Sequence, residues 1–271
     1  MEKMKVGDIV TRKSYNRDIL FRIKRIIKTK KGKIAILIGI VERVEADSSL
    51  EDLEKVDEER INKDLKYIQK RIDGKINKLG NTKRKRNEFI ITGKILHLDG
   101  DRKYSEKSYR YYRKLGLNAI VKNIPEYKQP AVVYKLLKIY EPDILVITGH
   151  DGMIKNSSRY NDLYNYRNSK YFIETVKQAR KYDKENDKKL VIFAGACQSY
   201  FEALISAGAN FASSPGRILI DFIDPLIVAE KVAMTEKYKY ITIDDIVNEL
   251  RDGKAGINGI GANGKMYRII N

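Results

Sequence analysis

The single cysteine of this 271-residue chain and one of its two histidines each follow a short apolar run that is typical of a buried strand. His150 comes after the run 144–147, and Cys197 comes after the run 190–193. If the two strands are neighbours, the imidazole and the thiol face each other at the carboxyl edge of a sheet, where ligands bind. Cys197 could then attack a carbonyl carbon while His150 takes up the thiol proton and delivers one to the leaving amine. The spacing therefore predicts a thiol enzyme.

Both candidates also have ordinary structural interpretations. A lone cysteine at the end of a buried strand is usually a small core residue. His150 strengthens the catalytic interpretation because it follows another strand within a glycine-bearing turn. The second histidine, His97, is a rival base, but it alternates with apolar Leu96 and Leu98, and this pattern favours a packing role.

The composition excludes several classes of chemistry. One cysteine cannot form an intramolecular disulfide, and one cysteine with two histidines is one ligand short of a four-ligand structural zinc site built from Cys and His on one chain. No apolar run approaches the roughly 20 residues that span a bilayer, and the N-terminus has no apolar signal region. We therefore expect an intracellular, cytoplasmic protein that needs no metal and no organic cofactor.

The charge is strongly positive. The chain carries 54 Lys and Arg against 36 Asp and Glu, which gives a formal net charge of +18. Such a charge favours acidic or scaffolded partners. The alternative to an enzyme is a basic binding protein whose N-terminal β-domain contacts nucleic acid or an acidic scaffold.

Three regions follow one another along the chain. Residues 1–48 contain short β-rich segments joined by polar turns, which predict a small basic barrel of SH3 or KOW type. Residues 49–88 predict a charged helical linker that is capped at Ser48 or Ser49. Residues 89–271 alternate apolar strands with helices, and this alternation predicts an α/β fold with a parallel sheet and right-handed crossovers.

Four segments in combination resemble the YabG family of sporulation-specific cysteine proteases from endospore-forming bacteria. They are 96–101 (LHLDGD), 148–152 (TGHDG), 194–199 (AGACQS) and 208–215 (GANFASSP). The likeness covers nearly the whole chain. It implies an endopeptidase that processes spore coat and cortex-related proteins, in the mother-cell compartment or at the spore coat surface, and that cuts after basic residues, chiefly arginine. It also implies that Cys197 is the nucleophile and His150 the catalytic histidine.

A wider likeness is to the caspase, clostripain and gingipain peptidases, which have a His-Gly pair after one strand and an Ala-Cys pair after the next. This likeness implies a caspase-like domain. Asp151 departs from the pattern because it stands between His150 and Gly152. The developing oxyanion would be held by the backbone N–H of Cys197 together with that of Gly152 or Asp151, and we favour Gly152.

Cleavage after arginine, which the resemblance implies, requires a carboxylate in the substrate pocket because an unpaired guanidinium is costly to desolvate. Four carboxylates come near the carboxyl edge of the predicted sheet: Asp99, Asp101, Asp151 and Asp224. Asp101 and Asp224 are the leading pair, and each of the four has an ordinary alternative as a loop cap or surface residue. The backbone of Ser213 and Ser214 could pair with an extended substrate, since both follow a strand beside the nucleophile.

The same preference for basic residues predicts self-cleavage near Arg84–Arg86, in the basic run at the end of the linker. A class I glutamine amidotransferase is disfavoured. That enzyme needs a histidine after its cysteine, and this chain has none beyond His150. The sequence therefore favours a protease that acts on protein substrates.

Overall fold

The computed structural model describes residues 3–30, 32–83, 90–154 and 160–268, and two main sheets organise them. The strands are β1 (Ile9–Arg12), β2 (Phe21–Thr29), β3 (Gly32–Gly39), β4 (Glu45–Ser49), β5 (Leu53–Lys55), β6 (Ile90–Ile91), β7 (Ile95–Asp99), β8 (Ala119–Asn123), β9 (Ile144–Thr148), β10 (Val191–Ala194), β11 (Phe211–Ser213), β12 (Tyr240–Ile241), β13 (Ile257–Gly259), β14 (Ala262–Asn263) and β15 (Tyr267–Arg268). The helices are α1 (Glu58–Lys83), α2 (Arg102–Lys114), α3 (Gln129–Tyr140), α4 (Ser169–Asn186), α5 (Phe201–Ser206), α6 (Asp224–Met234) and α7 (Gly253–Gly256).

The N-terminal strands form an antiparallel sheet in the order β4-β3-β2-β1-β5. In β2, Phe21 and Ile23 are buried while Arg22 and Lys24 are exposed, which is the period-2 pattern of a strand with one face in the core. The predicted β-rich region is therefore an antiparallel sheet, and its pairing continues to Lys55. The SH3-like or KOW-like barrel form remains a prediction.

The helix that was predicted to start at Ser48 or Ser49 begins instead at Glu58. Residues 53–55 pair with β1 and form the edge strand β5. The acidic residues that suggested a first helical turn have other partners. Asp52 accepts hydrogen bonds from the Ser14 and Ser48 hydroxyls, and Glu54 pairs with Arg17.

The second sheet has the strand order β13-β11-β10-β9-β7-β8. All its strands run parallel except β13, which is antiparallel to β11. Strands β7, β9 and β10 are buried along their whole length, as expected where helices cover both faces of a parallel sheet. The predicted α/β class with a largely parallel sheet is confirmed, and the caspase-like form remains a prediction.

Each face of this central sheet packs against its own set of helices. On one face, Ile72 of α1 and Tyr112 of α2 are buried in one cluster with residues of α6. On the other face, Leu137 of α3 and Phe172 of α4 are buried together. The region 49–88, predicted as a charged linker, therefore contributes buried side chains to the core of the central sheet.

A third apolar cluster joins the two sheets. It contains Val10, Phe21 and Val44 of the N-terminal region together with Cys197 and Ile220 from the loops at the carboxyl edge of the central sheet. The N-terminal sheet therefore lies against the part of the central sheet where ligands bind in α/β folds.

After residue 218, the described residues contain one helix of more than two turns, α6. Short strands follow this helix, and β13 closes the edge of the central sheet. A Cβ at Gly259 would lie 2.1 Å from the carbonyl oxygen of Asn210, so glycine permits this close pairing.

Two further expectations concern the self-cleavage region and membrane-spanning segments. The predicted self-cleavage region Arg84–Arg86 lies outside the described residues. Among the helices of the described ranges, none is long and apolar enough to cross a membrane.

Candidate active site at the carboxyl edge of the central sheet

His150 and Cys197 leave adjacent strands at the same edge of the sheet. β9 and β10 are paired in parallel with Ile147 opposite Ala194, and the Gly195 N–H donates to the Ile147 carbonyl at 3.0 Å. Each candidate lies three residues beyond this last pair (147 to 150 and 194 to 197). The pairing of these strands was the condition on which the predicted thiol enzyme depended.

The Cys197 thiol is fully buried in the cluster that joins the two sheets. The Ile220 N–H donates to its Sγ at 3.4 Å, and Sγ lies 3.8 Å from the Ile220 carbonyl oxygen. Burial raises the pKa of Cys197 to about 12. The sulfur is therefore a neutral thiol at physiological pH, and it needs a proton acceptor to become a nucleophile.

The His150 ring is buried, and its Nε2 has no hydrogen-bond partner among the residues that the structure describes. Tyr104 contacts this ring edge-on, with 5.9 Å between the ring centroids. Burial raises the pKa of Tyr104 well above its ordinary value. Tyr104 is thus a neutral side chain that packs on the ring of the candidate base. A buried ring nitrogen without a partner is unusual and marks a position from which a proton could be exchanged.

Glu126 fixes the backbone at His150. Its Oε1 accepts the His150 N–H at 2.7 Å, while the side chain of Asn168 donates to the His150 carbonyl at 2.8 Å. A Cβ on Gly149 would lie 2.4 Å from Glu126 Oε1, so the close approach depends on glycine. Burial raises the pKa of Glu126.

Asp151 connects the loops that carry the two candidates. Its Oδ1 accepts the N–H groups of Gly152 and Asn168, and its Oδ2 accepts the hydroxyls of Ser169 and Ser199. The carboxyl group is fully buried, and burial raises its pKa to about 6. With four donors around it, this carboxylate has a positioning role and offers no free face to a substrate guanidinium.

The backbone of the same loop contacts an extended segment of the N-terminal sheet. The Asp151 N–H donates to the Arg43 carbonyl at 3.2 Å, and the Glu45 N–H donates to the Asp151 carbonyl at 2.8 Å. The Gly152 N–H is already bound to Asp151 Oδ1. Gly152 and Asp151 were the two alternatives for the second oxyanion donor. Of these, Asp151 is the one whose backbone N–H contacts a carbonyl oxygen, that of Arg43. The Cys197 N–H makes no hydrogen bond within the part of the chain that the structure describes.

Asp99 lies at the end of β7 and binds a guanidinium. Its Oδ2 pairs with Nη1 of Arg43 at 2.9 Å, and both side chains are fully buried. The Thr148 hydroxyl donates to the same oxygen at 2.8 Å, and the Asp101 N–H donates to Oδ1 at 2.8 Å. Among the four carboxylates considered from the sequence, Asp99 is the one held at the carboxyl edge in a fully buried ion pair with an arginine.

The two leading carboxylates of the sequence analysis have other contacts. Asp101 is the N-cap of α2 and accepts the Tyr104 N–H at 3.2 Å. Asp224 begins α6, lies 3.8 Å from Nζ of Lys75 and accepts the Asp221 N–H at 3.2 Å. Burial raises the pKa of Asp224 to about 6.

Ser213 and Ser214 are buried beside the cysteine loop and support it. The Ser213 hydroxyl donates to the Ala196 carbonyl at 2.9 Å. Ser214 adopts a positive φ of 65°, its N–H donates to the Gly256 carbonyl at 2.6 Å, and its hydroxyl accepts the Gln198 N–H at 3.0 Å. Since the Ser214 N–H is already bonded, pairing with a substrate would have to use other groups.

His97 has the packing role that its pattern favoured. It is fully buried, with Nδ1 3.0 Å from the Tyr112 hydroxyl and Nε2 2.7 Å from the Thr148 hydroxyl. Burial lowers the pKa of His97 to about 4. Both ring nitrogens are therefore satisfied, and the ring is neutral at physiological pH.

Comparison with known proteins decides the family. The family model described as YabG peptidase U57 matches residues 5–270. The chain belongs to the YabG peptidase family. It is 41% identical over 281 residues to the sporulation-specific protease YabG of Bacillus subtilis (strain 168), with 97% of this chain and 96% of that protein covered. No solved structure matches the chain.

The resemblance to the YabG family drawn from four short segments is thus confirmed, and these segments hold most of the candidate site residues. Segment 96–101 contributes Asp99, segment 148–152 the histidine, segment 194–199 the cysteine, and segment 208–215 the serines that support it. Within the described ranges, no three His, Cys, Asp or Glu side chains are grouped so that they could hold a metal ion.

Sequence reasoning missed Glu126 and Arg43. Glu126 follows β8 at the carboxyl edge, so the rule that polar residues after parallel strands meet at one edge could have indicated it. Arg43 comes from the N-terminal sheet, in a loop with no chemical motif, and no spacing in the sequence indicates its contact with Asp99.

Proposed function

We propose that this chain is a sporulation protease of the cysteine type that cleaves its substrates after arginine. Cys197 is the nucleophile, and His150 is its general base and acid. Asp99 receives the arginine side chain of the substrate. Membership of the YabG peptidase family supports proteolysis, and the name of the Bacillus subtilis relative supports a role in sporulation.

In the proposed reaction the Cys197 thiol transfers its proton to Nε2 of His150, and the sulfur attacks the carbonyl carbon of the scissile bond. The backbone N–H groups of Cys197 and Asp151 donate to the resulting oxyanion. The C–N bond then breaks, His150 protonates the leaving amine, and a thioester remains. Water attacks the thioester carbon while His150 takes a proton from the water. The C–S bond then breaks, the sulfur regains that proton from His150, and the acid product leaves.

One observation carries most of this proposal. The register of β9 with β10 brings a buried cysteine and a buried histidine to the same edge, and Nε2 of that histidine lacks a partner among the described residues. A histidine with only a structural role would satisfy both ring nitrogens, as His97 does.

The preference for arginine is supported by the fully buried ion pair of Asp99 with Arg43. A buried carboxylate favours a guanidinium partner, because a well-oriented ion pair offsets the desolvation cost of both groups. Spore coat and cortex-related proteins as substrates, and the mother cell as compartment, are the further parts of this proposal and come from the family resemblance.

The test is cleavage of a peptide panel that varies only the residue before the scissile bond. We expect Cys197→Ala and His150→Ala each to lower kcat/KM for arginine peptides by about 1000-fold or more, as loss of a catalytic group does in other proteases. His97→Gln, which removes the rival histidine, should cost less than about tenfold. Thermal unfolding checks that each variant is folded. Undiminished cleavage by folded Cys197→Ala protein would contradict the proposal.

A further inference from the structure

The loop between β3 and β4 reaches into the candidate active site. This loop, residues 40–44 and called here the Arg43 loop, is closed at its base by the Gly39 N–H, which donates to the Val44 carbonyl at 2.9 Å. The Tyr104 hydroxyl donates toward the carbonyls of Ile40 at 2.8 Å and Val41 at 2.7 Å. A residue that packs on the His150 ring thus also holds the loop in place.

The Arg43 side chain fills a pocket at the end of β7. Its exposed fraction is 1%, Nη1 binds Asp99 at 2.9 Å, and Nη2 donates to the Phe222 carbonyl at 3.3 Å. The guanidinium carbon lies 5.8 Å from the centroid of the Tyr104 ring. A carboxylate, a carbonyl and an aromatic face are the groups that recognise a substrate arginine. Nε is buried without a partner among the described residues, so this fit is incomplete.

The main chain of the loop lies against the residue that follows His150. The Arg43 carbonyl accepts the Asp151 N–H at 3.2 Å, Val44 forms a parallel bridge with Asp151, and the Glu45 N–H donates to the Asp151 carbonyl at 2.8 Å. An extended peptide that pairs its backbone with an enzyme loop and places one side chain in a pocket is bound as a substrate is bound. In the proposed reaction, the Asp151 N–H is the donor that a scissile carbonyl would contact.

The next residue of the loop belongs to the apolar cluster that buries the nucleophile. Val44 and Cys197 are both in this cluster, and Cys197 is fully buried. A substrate therefore cannot reach the sulfur while the Arg43 loop is in place. A buried ion pair is weak evidence for stability on its own account, which leaves room for a different role of the Arg43–Asp99 pair.

We infer that the Arg43 loop is a substrate-like segment that occupies the arginine pocket and blocks the active site of its own chain. The N-terminal sheet is then an inhibitor in cis, and the enzyme acts on other proteins only when this loop has left the pocket. The inference rests on the proposed function, because it assigns the occupied pocket to the arginine of a substrate.

The experiment measures alkylation of Cys197 by two thiol-reactive peptides, one ending in arginine and one ending in alanine, in the full-length protein. Cys197 is the one cysteine of the chain, so the labelled fraction reports this site alone. The variants are Arg43→Gln, which empties the pocket, and Tyr104→Phe, which removes the hydroxyl that holds the loop while leaving the ion pair intact. Arg180→Met is the matched control, because Arg180 is a part-buried arginine that binds Asp183 and the Leu190 carbonyl away from the site.

We expect Arg43→Gln to raise the labelling rate by the arginine peptide by about tenfold or more, since a closed site is open for only a minor fraction of the time. Tyr104→Phe should raise it by a smaller factor, and Arg180→Met should leave it within about twofold of the wild type. Labelling by the alanine peptide should rise by a similar factor but stay slower than labelling by the arginine peptide, because an open loop exposes the sulfur to both. Unchanged labelling rates in folded Arg43→Gln and Tyr104→Phe, or a rise of the same size in Arg180→Met, would overturn the inference.

Two further outcomes separate this inference from the proposed function. If the wild type and both loop variants are labelled by the arginine peptide at the same rate, and faster than by the alanine peptide, the site prefers arginine but the loop does not block it. If no protein distinguishes the two peptides, the proposed arginine preference itself is wrong. If Arg43→Gln shows no cooperative unfolding, that variant is not folded, and Tyr104→Phe alone decides whether the loop blocks the site.

Discussion

The carboxylate of Asp151 accepts a hydrogen bond from the Ser199 hydroxyl at 2.9 Å. This bond joins the loop that carries the candidate base to the loop that carries the candidate nucleophile. Ser199 in turn accepts the Ala196 N–H at 2.9 Å, so the bond sets the backbone next to Cys197. The positions of the two candidate residues therefore depend on a buried acid that lies between their loops.

Replacing Asp151 by asparagine should alter how stability depends on pH. Burial raises the pKa of Asp151 from 3.8 to about 6, so the folded protein keeps a proton that the unfolded chain loses. The favourable contribution is complete below about pH 4 and is lost as the pH rises through about 6, at a cost of about 3 kcal/mol by the linkage relation. We expect Asp151→Asn to remove this decline in the free energy of unfolding, because asparagine does not titrate.

The measurement is the free energy of unfolding from urea titrations between pH 4 and 7, for the wild type and Asp151→Asn. The amide nitrogen of asparagine can donate to the Ser169 and Ser199 hydroxyls. Each of these oxygens accepts one backbone N–H and has a second lone pair to accept the amide. Asp224→Asn is the matched comparison, because burial also raises the pKa of Asp224 to about 6 in a position away from the serine contacts. Identical pH slopes for the wild type and Asp151→Asn would contradict the prediction.

Cys197 should resist small alkylating agents in the resting protein. Burial raises the pKa of Cys197 to about 12, so the thiolate fraction at pH 8 is on the order of 1000-fold smaller than for a free thiol. The control is Tyr164→Cys in a Cys197→Ala background, since Tyr164 is 89% exposed. We expect iodoacetamide to react with the control thiol on the order of 1000-fold faster, as followed by mass spectrometry. Comparable rates would mean that the thiol is accessible and activated.

Part of this site follows from the sequence, because buried parallel strands have a strong signature. The runs that became β9 and β10 are apolar throughout, and residues after such strands meet at one edge. The sequence therefore predicted that His150 and Cys197 follow two such strands, but it left open whether the strands are neighbours, and the pairing of β9 with β10 answers this.

The rest depends on contacts that no local pattern indicates. Arg43 and Asp99 are 56 residues apart and belong to different sheets, so only the packing of the N-terminal sheet against the central sheet brings them together. Asp151 departed from the expected His-Gly pattern in the sequence, and its four hydrogen bonds explain why an acid fits there. The start of α1 was misplaced because acidic residues favour a helix start and also serve as side-chain partners in a sheet.

Adding one methyl group at Gly149 should disturb the site. The new Cβ would lie 2.4 Å from Glu126 Oε1 and 2.7 Å from its Cγ, so the carboxylate that holds the His150 N–H must move. We expect Gly149→Ala to lower the free energy of unfolding by about 1–3 kcal/mol, as overpacking does, and to reduce peptide cleavage. Gly149→Ala combined with Glu126→Ala should recover stability but not activity.

Gly74→Ala is the control for this substitution. Gly74 lies within α1, and a Cβ there meets no atom within 4 Å. Alanine should therefore stabilise the protein by about 0.5–1 kcal/mol through helix propensity. A Gly149→Ala protein as stable and active as Gly74→Ala would show that Glu126 does not constrain the histidine loop.

Asp99 should determine the preference for arginine, and Asp101 should not. Asp99 is fully buried and binds a guanidinium at 2.9 Å, whereas Asp101 caps α2, a position that asparagine fills equally well. We expect Asp99→Asn to lower the ratio of kcat/KM for arginine peptides to that for alanine peptides by about 100-fold or more, because a buried charge left without its partner costs about 3–5 kcal/mol. Asp101→Asn should keep the preference of the wild type. Asp99→Asn also leaves Arg43 unpaired, so each variant is checked by thermal unfolding, and Arg43→Gln is added where the single variant is not folded. Loss of the arginine preference in Asp101→Asn, with its retention in folded Asp99→Asn, would assign the pocket to Asp101 instead.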